Sequence, residues 1–262
     1  MSTRVDESLV DWLEAQVFAG GDAPADVIER APDMTPGEAY AVRHALVQRR
    51  AAQGDRHIGY KVGGASRTIR AQEHVDGPMV GCLIQSGAFA ETRPIAIGGY
   101  ARANIEAEIG VLIGSTLAGP GVTLRDVFPA VDAVFPAFEL IRNRSAAKRS
   151  TPMRILSSNF TGGIVMGGPL TSPRGIDLRL EGMVLTLNGE VQGSATGVEV
   201  LGNPLEAVAI VANTIAGFGA RLEAGMVVMT GSFLGNLKVK PGDAVRASFT
   251  RLGTVSATFS ES

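Results

Sequence analysis

The stretch Ile105–Ile113, Ile-Glu-Ala-Glu-Ile-Gly-Val-Leu-Ile, places two acidic residues inside an otherwise apolar run. Its β-branched composition and the Gly114-Ser115 pair that follows predict a buried β-strand. Because side chains alternate along a strand, Glu106 and Glu108 should lie on the same face. Two neighbouring carboxylates in an apolar strand repel each other and lose hydration, so this strand needs a compensating group.

A divalent cation is one such group, because hard cations such as Mg²⁺ take carboxylate oxygens as ligands. A solvated edge-strand face, or pairing of the acids with Arg, would also compensate. A third acid, Glu139, lies in a second apolar stretch, Ala133–Ile141, where an unpaired Glu would be costly. With 3 His and 1 Cys in the chain, an oxygen site for Mg²⁺ or Mn²⁺ is favoured over a zinc-type site. Such a site leaves room for a bidentate ligand, and a 2-oxo acid is one.

The composition predicts a folded α+β protein with a large core. The 262 residues contain 45% hydrophobic residues, which argues against disorder. We expect a helical N-terminal region over residues 1–56 and a β-rich domain that binds metal and substrate over residues 57–262. A net charge of −2 and 5% aromatic residues argue against nucleic acid and anionic membranes as partners. The single Cys82 and the polar N-terminus, without a signal peptide, indicate a cytoplasmic protein.

Local patterns predict the main elements. Helices are expected over residues 6–19, from the capping box Thr35–Glu38 to Gly54, over Leu124–Val131, and from Asn203, as cap, to Ala216. Strands are expected over Ile58–Gly64, Val80–Ile84, Ala133–Ile141, Ile164–Met166, Met226–Thr230, Ala244–Phe249 and Thr254–Phe259, with a hairpin over Met183–Gly193 that turns at Asn188-Gly189. Pro136 suggests that the strand carrying Glu139 is irregular or at a sheet edge.

Several polar residues are candidates for the site. Lys61 precedes a Gly-Gly turn and is either a surface side chain with a buried stem or a desolvated functional amine. Asp76 alone is typical of a turn. The small polar groups of Ser157–Gly163 suit either ligand binding or turn formation. The Gly231-Ser232 pair follows a predicted strand, and its backbone N–H groups could face an anion.

Six segments together resemble one known family. They are, in chain order, Gly59-Tyr-Lys-Val-Gly63, Val75-Asp-Gly-Pro78, Ile105-Glu-Ala-Glu-Ile109, Pro136-Ala-Phe-Glu-Leu-Ile141, Asn203-Pro-Leu-Glu-Ala-Val208 and Val228-Met-Thr-Gly-Ser232. The chain thereby resembles, over nearly its whole length, the 2-oxopent-4-enoate hydratase / 4-oxalocrotonate decarboxylase family of the fumarylacetoacetate hydrolase superfamily. The resemblance implies a mixed β-roll fold and a Mg²⁺- or Mn²⁺-chelated 2-oxo acid in the catabolism of aromatic compounds.

The resemblance also implies roles for individual residues. The metal ligands would be Glu106, Glu108 and Glu139, and the active-site lysine would be Lys61. Asp76 and Thr161 are the further catalytic candidates. Asn159, Ser232 and Gly231 are the candidates for substrate binding. We further expect the protein to form a homo-oligomer.

Two positions depart from the family pattern. Met79 stands where the family has an acid after Pro, and Phe160 adds bulk in the Ser158–Thr161 segment. The first hypothesis is a metal-dependent hydratase of 2-hydroxy-2,4-dienoates that gives 4-hydroxy-2-oxo acids. The alternatives are a 4-oxalocrotonate-type decarboxylase, in which the Arg-rich segment 142–154 holds a second carboxylate, and a non-catalytic member that keeps the metal.

Overall fold

The computed structural model describes residues 5–18, 34–66, 77–98, 100, 102–143, 152, 155–156 and 162–262. Within these ranges the α-helices are α1 (Glu7–Phe18), α2 (Pro36–Ala52), α3 (Leu124–Ala130) and α4 (Glu206–Ala216). The strands there are β1 (His57–Gly63), β2 (Met79–Ile84), β3 (Ala88–Phe89), β4 (Ile95–Ala96), β5 (Arg102–Ile113), β6 (Val131–Asn143), β7 (Gly163–Met166), β8 (Gly182–Leu187), β9 (Glu190–Thr196), β10 (Val227–Met229), β11 (Leu237–Lys238), β12 (Ala244–Phe249) and β13 (Gly253–Ser260).

These strands form two mixed sheets. The larger sheet has the order β2-β1-β10-β5-β6-β7-β3, and β11 pairs with β5 beside β10. The smaller sheet has the order β4-β13-β12-β8-β9. The pairs β1–β10, β3–β7 and β4–β13 are parallel, and the other pairs are antiparallel. Helices combined with mixed sheets confirm the predicted α+β class.

The long antiparallel pair β5–β6 is the centre of the larger sheet. The odd-numbered residues of β5 from Ala103 to Ile113 are buried in the main core, as the predicted alternation requires. That core also contains Leu13 of α1, Leu46 of α2 and Val255 of β13. The helical N-terminal region and both sheets therefore contribute to one apolar cluster. The domain boundary after residue 56 stays a prediction.

The prediction of an edge strand at Pro136 is wrong, because β6 lies between β5 and β7, but the predicted irregularity is present. Ala137 pairs with Met166 whereas Val134 pairs with Thr171, so the register shifts by two residues across Pro136. The Pro136 carbonyl accepts a hydrogen bond from the Gly167 N–H at 2.9 Å. A strand residue directs its N–H and C=O to the same side, so the missing donor of Pro136 faces the end of β7. The regular pairing of β6 with β7 ends at Ala137 opposite Met166, and Pro136 and Gly167 are joined by one hydrogen bond because proline has no N–H to return the second.

Two local predictions have different outcomes. The hairpin turn at Asn188-Gly189 is confirmed, with φ of 52° and 85° at the two residues. Helix α4, however, begins at Glu206, so Asn203 is not its cap. The Asn203 side chain instead accepts a hydrogen bond from the Leu205 N–H at 3.1 Å and closes a turn before the helix.

Two half-buried histidines, His44 and His57, couple this fold to pH. The His57 ring donates from Nε2 to the Gly59 carbonyl at 2.8 Å and packs edge-on against Tyr60. Burial lowers the pKa of His57 from 6.5 to about 4. Burial likewise lowers the pKa of His44, whose ring lies 5.0 Å from that of Phe218. Both rings are therefore held neutral in the folded protein.

We expect His57 to destabilise the protein as the pH falls from about 6.5 to about 4. In this window the unfolded chain binds a proton that the folded chain does not, so the stability present above pH 6.5 is lost on acidification. The loss is at most about 3 kcal/mol, since one pKa unit corresponds to about 1.4 kcal/mol. Urea unfolding of the protein and of His57→Gln at several pH values measures it. Equal pH slopes for the two proteins would contradict the prediction, and the comparison cancels the contributions of buried carboxylates.

Candidate metal and substrate site

Strands β5 and β6 bring the three predicted acidic ligands together. Glu106 lies directly opposite Glu139 in the antiparallel register, and Glu108 follows on the same face of β5. One carboxylate oxygen from each acid lies within 4.8 Å of the other two. We call these three residues the acidic cluster. The sequence predicted their convergence, and their role as metal ligands is taken up below.

The two deeply buried acids of the cluster each have one bonded oxygen and one open oxygen. Oε2 of Glu108 accepts the Gly231 N–H at 2.8 Å, and Oε1 of Glu139 lies 3.0 Å from Nζ of Lys61. Oε1 of Glu108 and Oε2 of Glu139 are buried and have no hydrogen-bond partner among the described residues. Buried oxygens of this kind are rare and indicate a missing partner.

The two other acids that are buried among the described residues, Glu181 and Asp243, have partners on both carboxylate oxygens. Glu181 accepts hydrogen bonds from the backbone N–H groups of Arg251 and Leu252 and from the Arg251 side chain. Asp243 accepts them from the Asn188 side chain and the Lys240 N–H. Within the described part of the chain, the buried carboxylate oxygens without a hydrogen-bond partner thus belong to the acidic cluster. Three converging carboxylates with open oxygens fit a hard divalent cation such as Mg²⁺.

The electrostatics of the acidic cluster point the same way. Burial, and then the nearby Glu139 carboxylate, raise the pKa of Glu106 to about 7, while Lys61 opposes the shift. Burial and the two other acids also raise the pKa of Glu108, although the Gly231 N–H and Lys61 lower it. Without a cation, the folded protein therefore resists full ionisation of the cluster. A bound divalent cation would supply the charge that stabilises the ionised acids.

Lys61 reaches the acidic cluster across the sheet. Strand β10 lies between β1 and β5, with Lys61 opposite Met229 and Met229 opposite Gly110. The Lys61 side chain is almost fully buried. Burial lowers its pKa, but the charge of Glu139 and the other acids more than offsets burial, so the pKa is raised overall. Lys61 is therefore a desolvated, charged amine, and the alternative of a surface side chain is excluded.

An apolar cluster adjoins the acids on the same face of the sheet. Phe135 and Ala137 of β6, Met229 of β10 and Ile164 of β7 are buried together there. A Cβ at Gly110 would lie 2.3 Å from the Phe135 ring, so the ring packs directly on the backbone of β5. This apolar surface lowers the local polarity around the acidic cluster and Lys61. Electrostatic interactions among these groups are stronger for that reason.

The Gly231-Ser232 pair lies beside the acidic cluster. The N–H of Gly231 faces an anion, as predicted, but that anion is the carboxylate of Glu108. The Ser232 hydroxyl accepts the Gly235 N–H at 2.8 Å and donates to the Gly235 carbonyl at 3.1 Å, within its own loop. The direct contact of either residue with substrate stays a prediction.

Three other predicted site residues, Asp76, Asn159 and Thr161, lie outside the described residues, as does Phe160. Met79 is described and lies opposite Gly63, two residues from Gly81, which pairs with Lys61. The position that departs from the family pattern is therefore close to Lys61 in the sheet. Two neighbours of the site, Ala65 and Thr230, were not singled out from the sequence, because small or common residues carry no distinctive signal there.

A separate groove of about 1120 Å³ lies next to the Gly231-Ser232 loop. Residues 232–236 line one part of it, strands β8, β9 and β12 line another, and Ser66, Glu199 and Thr250 complete the lining. Its side-chain oxygens come largely from hydroxyl groups, such as those of Ser194, Thr196 and Thr250. None of the acids of the acidic cluster lines the groove, so it neighbours the site and does not contain it.

The part of the chain that the structure describes contains no helix that is both long and apolar enough to span a membrane.

Comparisons with known proteins agree with the fold. Residues 48–260 match the family model of the fumarylacetoacetate (FAA) hydrolase C-terminal domain. The 2-keto-4-pentenoate hydratase of Paraburkholderia xenovorans (strain LB400) is 34% identical over 245 residues, which cover 93% of this chain and 91% of that protein. The 4-oxalocrotonate decarboxylase of Pseudomonas putida is 33% identical, over 87% of each chain.

A solved structure shows the same fold over the whole chain. The 4-oxalocrotonate decarboxylase from Pseudomonas putida G7, complexed with magnesium and adipate, superimposes with a TM-score of 0.89. It is 31% identical and covers 99% of this chain and 100% of that chain. The superposition and the family match confirm the predicted fold. The predicted enzyme class is also confirmed, because these hydratases and decarboxylases are lyases. The chain belongs to the fumarylacetoacetate hydrolase C-terminal domain family, in the group that contains the 2-keto-4-pentenoate hydratases and the 4-oxalocrotonate decarboxylases.

Proposed function

We propose that this protein is a Mg²⁺-dependent hydratase that converts 2-hydroxy-2,4-dienoates into 4-hydroxy-2-oxo acids. The observation that carries the proposal is the acidic cluster, which has two buried open oxygens and an ion pair between Glu139 and the amine of Lys61. The hydratase at 34% identity over 93% of the chain supports the reaction type. Mn²⁺ is a second metal with the same ligand preference.

Glu106, Glu108 and Glu139 would hold the metal through their carboxylate oxygens. When bound, Mg²⁺ supplies a Lewis acid that polarises the 2-oxo group and favours electron density at its oxygen. A ligand that presents a carboxylate and an adjacent carbonyl oxygen suits a cation whose remaining positions are open. The adjoining apolar surface suits the hydrocarbon part of such a ligand.

Lys61 would transfer the proton in the first step, which is ketonisation of the dienol. Its ammonium lies 3.0 Å from Glu139 and is buried, so it holds a proton close to the metal ligands. Ketonisation of the dienol moves the 2-hydroxyl proton to carbon, and Lys61 is the described side chain we assign to this transfer. One water then adds across the C4–C5 double bond, with the hydroxyl on C4 and the proton on C5. We assign the addition of water to Asp76 and Thr161. We assign substrate binding to Asn159, Ser232 and Gly231.

A 4-oxalocrotonate-type decarboxylase is the second candidate. The relative with this activity is 33% identical, and Met79 places an apolar side chain near Lys61 where the family pattern has an acid. Loss of CO₂ leaves an electron pair that a polarised 2-oxo group accepts, so this reaction depends less on a distal acid. The second carboxylate of such a substrate would bind the Arg-rich segment 142–154.

The two reactions are separated by assaying the purified protein with Mg²⁺ on 2-hydroxypenta-2,4-dienoate and on 4-oxalocrotonate. We expect loss of the dienoate absorbance with formation of the 4-hydroxy-2-oxo acid. If the protein releases CO₂ from 4-oxalocrotonate but does not convert the dienoate, the decarboxylase is favoured. Turnover of neither substrate would overturn both, and a rise in melting temperature with Mg²⁺ and oxalate would then identify a non-catalytic binding protein.

We also propose that the protein is a cytoplasmic homo-oligomer. The single Cys82 is buried and free, which suits a reducing compartment. Light scattering coupled to size-exclusion chromatography measures the assembly, and a mass of 27.2 kDa for one chain in solution would contradict it.

A further inference from the structure

The loop that connects β10 to β11 is fixed on both sides of Gly231. Thr230 donates both its N–H and its hydroxyl to the Ile109 carbonyl, at 3.3 and 2.9 Å. On the other side, the Phe233 N–H donates to the Ala107 carbonyl at 3.0 Å. Gly231 is thereby held against β5, where its own N–H donates to Oε2 of Glu108.

Gly231 also has no room for a side chain. Its φ of +109° is in the region that favours glycine. A Cβ at this position would lie 2.3 Å from the Cβ of Ala65, which is itself buried. Ala65 follows β1, the strand that carries Lys61. The close contact between Gly231 and Ala65 therefore joins the strand of Lys61 to the loop that binds Glu108.

We propose that Gly231 is a positioning residue for the metal ligand Glu108. Its N–H binds Oε2 and thereby fixes the orientation of the Glu108 carboxylate, which leaves Oε1 open within the acidic cluster. The Ala65 contact sets how far the loop can approach β5. A displaced amide would leave Glu108 free to rotate and would weaken the cation site. This inference rests on the metal site of the proposed function, and it adds a residue that is not itself a ligand.

The test is Mg²⁺ binding to Gly231→Ala, measured by isothermal titration calorimetry and by the shift of melting temperature with Mg²⁺. Loss of a hydrogen-bonded partner of a metal ligand typically lowers metal affinity by about 10- to 100-fold, and we expect a loss of that size. Gly242→Ala is the matched control, because φ of Gly242 is +90° but no atom lies within 4 Å of its Cβ position. That variant carries a similar backbone strain in the turn before β12 and should bind Mg²⁺ like the unmodified protein.

A rescue variant separates positioning from general strain. In Gly231→Ala combined with Ala65→Gly the 2.3 Å contact is removed, so part of the lost Mg²⁺ affinity should return. If Gly231→Ala does not fold, Thr230→Val serves instead, because it removes the 2.9 Å hydroxyl contact that holds the loop on Ile109 while keeping the shape of the side chain. We expect the Mg²⁺ affinity of this variant to fall several-fold, which corresponds to the net free energy of about one hydrogen bond.

The outcomes distinguish this inference from the proposed function. Unchanged Mg²⁺ affinity in Gly231→Ala, or in a folded Thr230→Val, would overturn the positioning role while leaving the proposed function standing. A loss of affinity in Gly242→Ala equal to that in Gly231→Ala would also overturn it, because the effect would then be strain alone. An unmodified protein that does not bind Mg²⁺ would overturn the proposed function and this inference together.

Discussion

Replacement of Glu106 by Gln is expected to abolish activity and to lower Mg²⁺ affinity by more than about 100-fold, beyond the loss typical of groups that only support a ligand. Gln presents one neutral oxygen where the acidic cluster requires a charged one. The fold should remain, because Glu106 is a source of repulsion in the metal-free protein. Its pKa of about 7 means that its ionisation at higher pH costs folding free energy. Calorimetric titration with Mg²⁺ and thermal melting at pH 8 measure the two effects.

The sign of the stability change is part of this prediction. The unfolded Glu106 is ionised above about pH 4.5, whereas the folded one is ionised above about pH 7, so its destabilising effect grows across this window and is complete above it. Metal-free Glu106→Gln should therefore be more stable at pH 8 than the unmodified protein, by up to about 3 kcal/mol. Glu190→Gln, on the exposed surface of β9, is the matched control and should change neither quantity. Full Mg²⁺ affinity in Glu106→Gln would show that the site assignment is wrong.

Replacement of Lys61 by Met should reduce kcat by about 100- to 10,000-fold, the usual contribution of a positioned proton donor or acceptor. Met keeps much of the buried apolar stem but removes the charge beside Glu139. Mg²⁺ affinity should be unchanged or higher, because a cation that competes for the carboxylates is lost. Steady-state kinetics at saturating Mg²⁺, together with calorimetric titration, distinguish a proton-transfer role from a metal-binding role.

The same change should destabilise the metal-free protein more than the metal-bound one. Removing one partner of a buried ion pair typically costs about 3 to 5 kcal/mol, and a bound cation would replace the lost charge. Lys238→Met is the matched control, because Lys238 is exposed on β11 at the same sheet. A Lys61→Met protein with normal kcat would exclude the assigned role. Weaker Mg²⁺ binding in that variant would instead indicate that Lys61 orders Glu139.

Much of the local structure follows from the sequence for a physical reason. The alternation of Ile105–Ile113 is a property of the extended chain itself, so it correctly separated the core face from the acid face. The turn at Asn188-Gly189 is likewise set by the backbone preferences of two adjacent residues. The errors arose where a local preference has two solutions. Pro136 is compatible with an inner strand where the pairing with the neighbouring segment shifts register, and Asn203 can close a turn as readily as it can cap a helix.

The acidic cluster shows where the limit lies. The sequence by itself determined that Glu106 and Glu108 share a face, that a third acid lies in another apolar strand, and that oxygen ligands suit Mg²⁺. The tertiary structure alone decided that Glu139 stands opposite Glu106, that Lys61 reaches Glu139 across β10, and that the Gly231 N–H binds Glu108. The reason is that alternation within a strand is fixed by local geometry. The register between strands distant in sequence is instead set by how their side chains pack together.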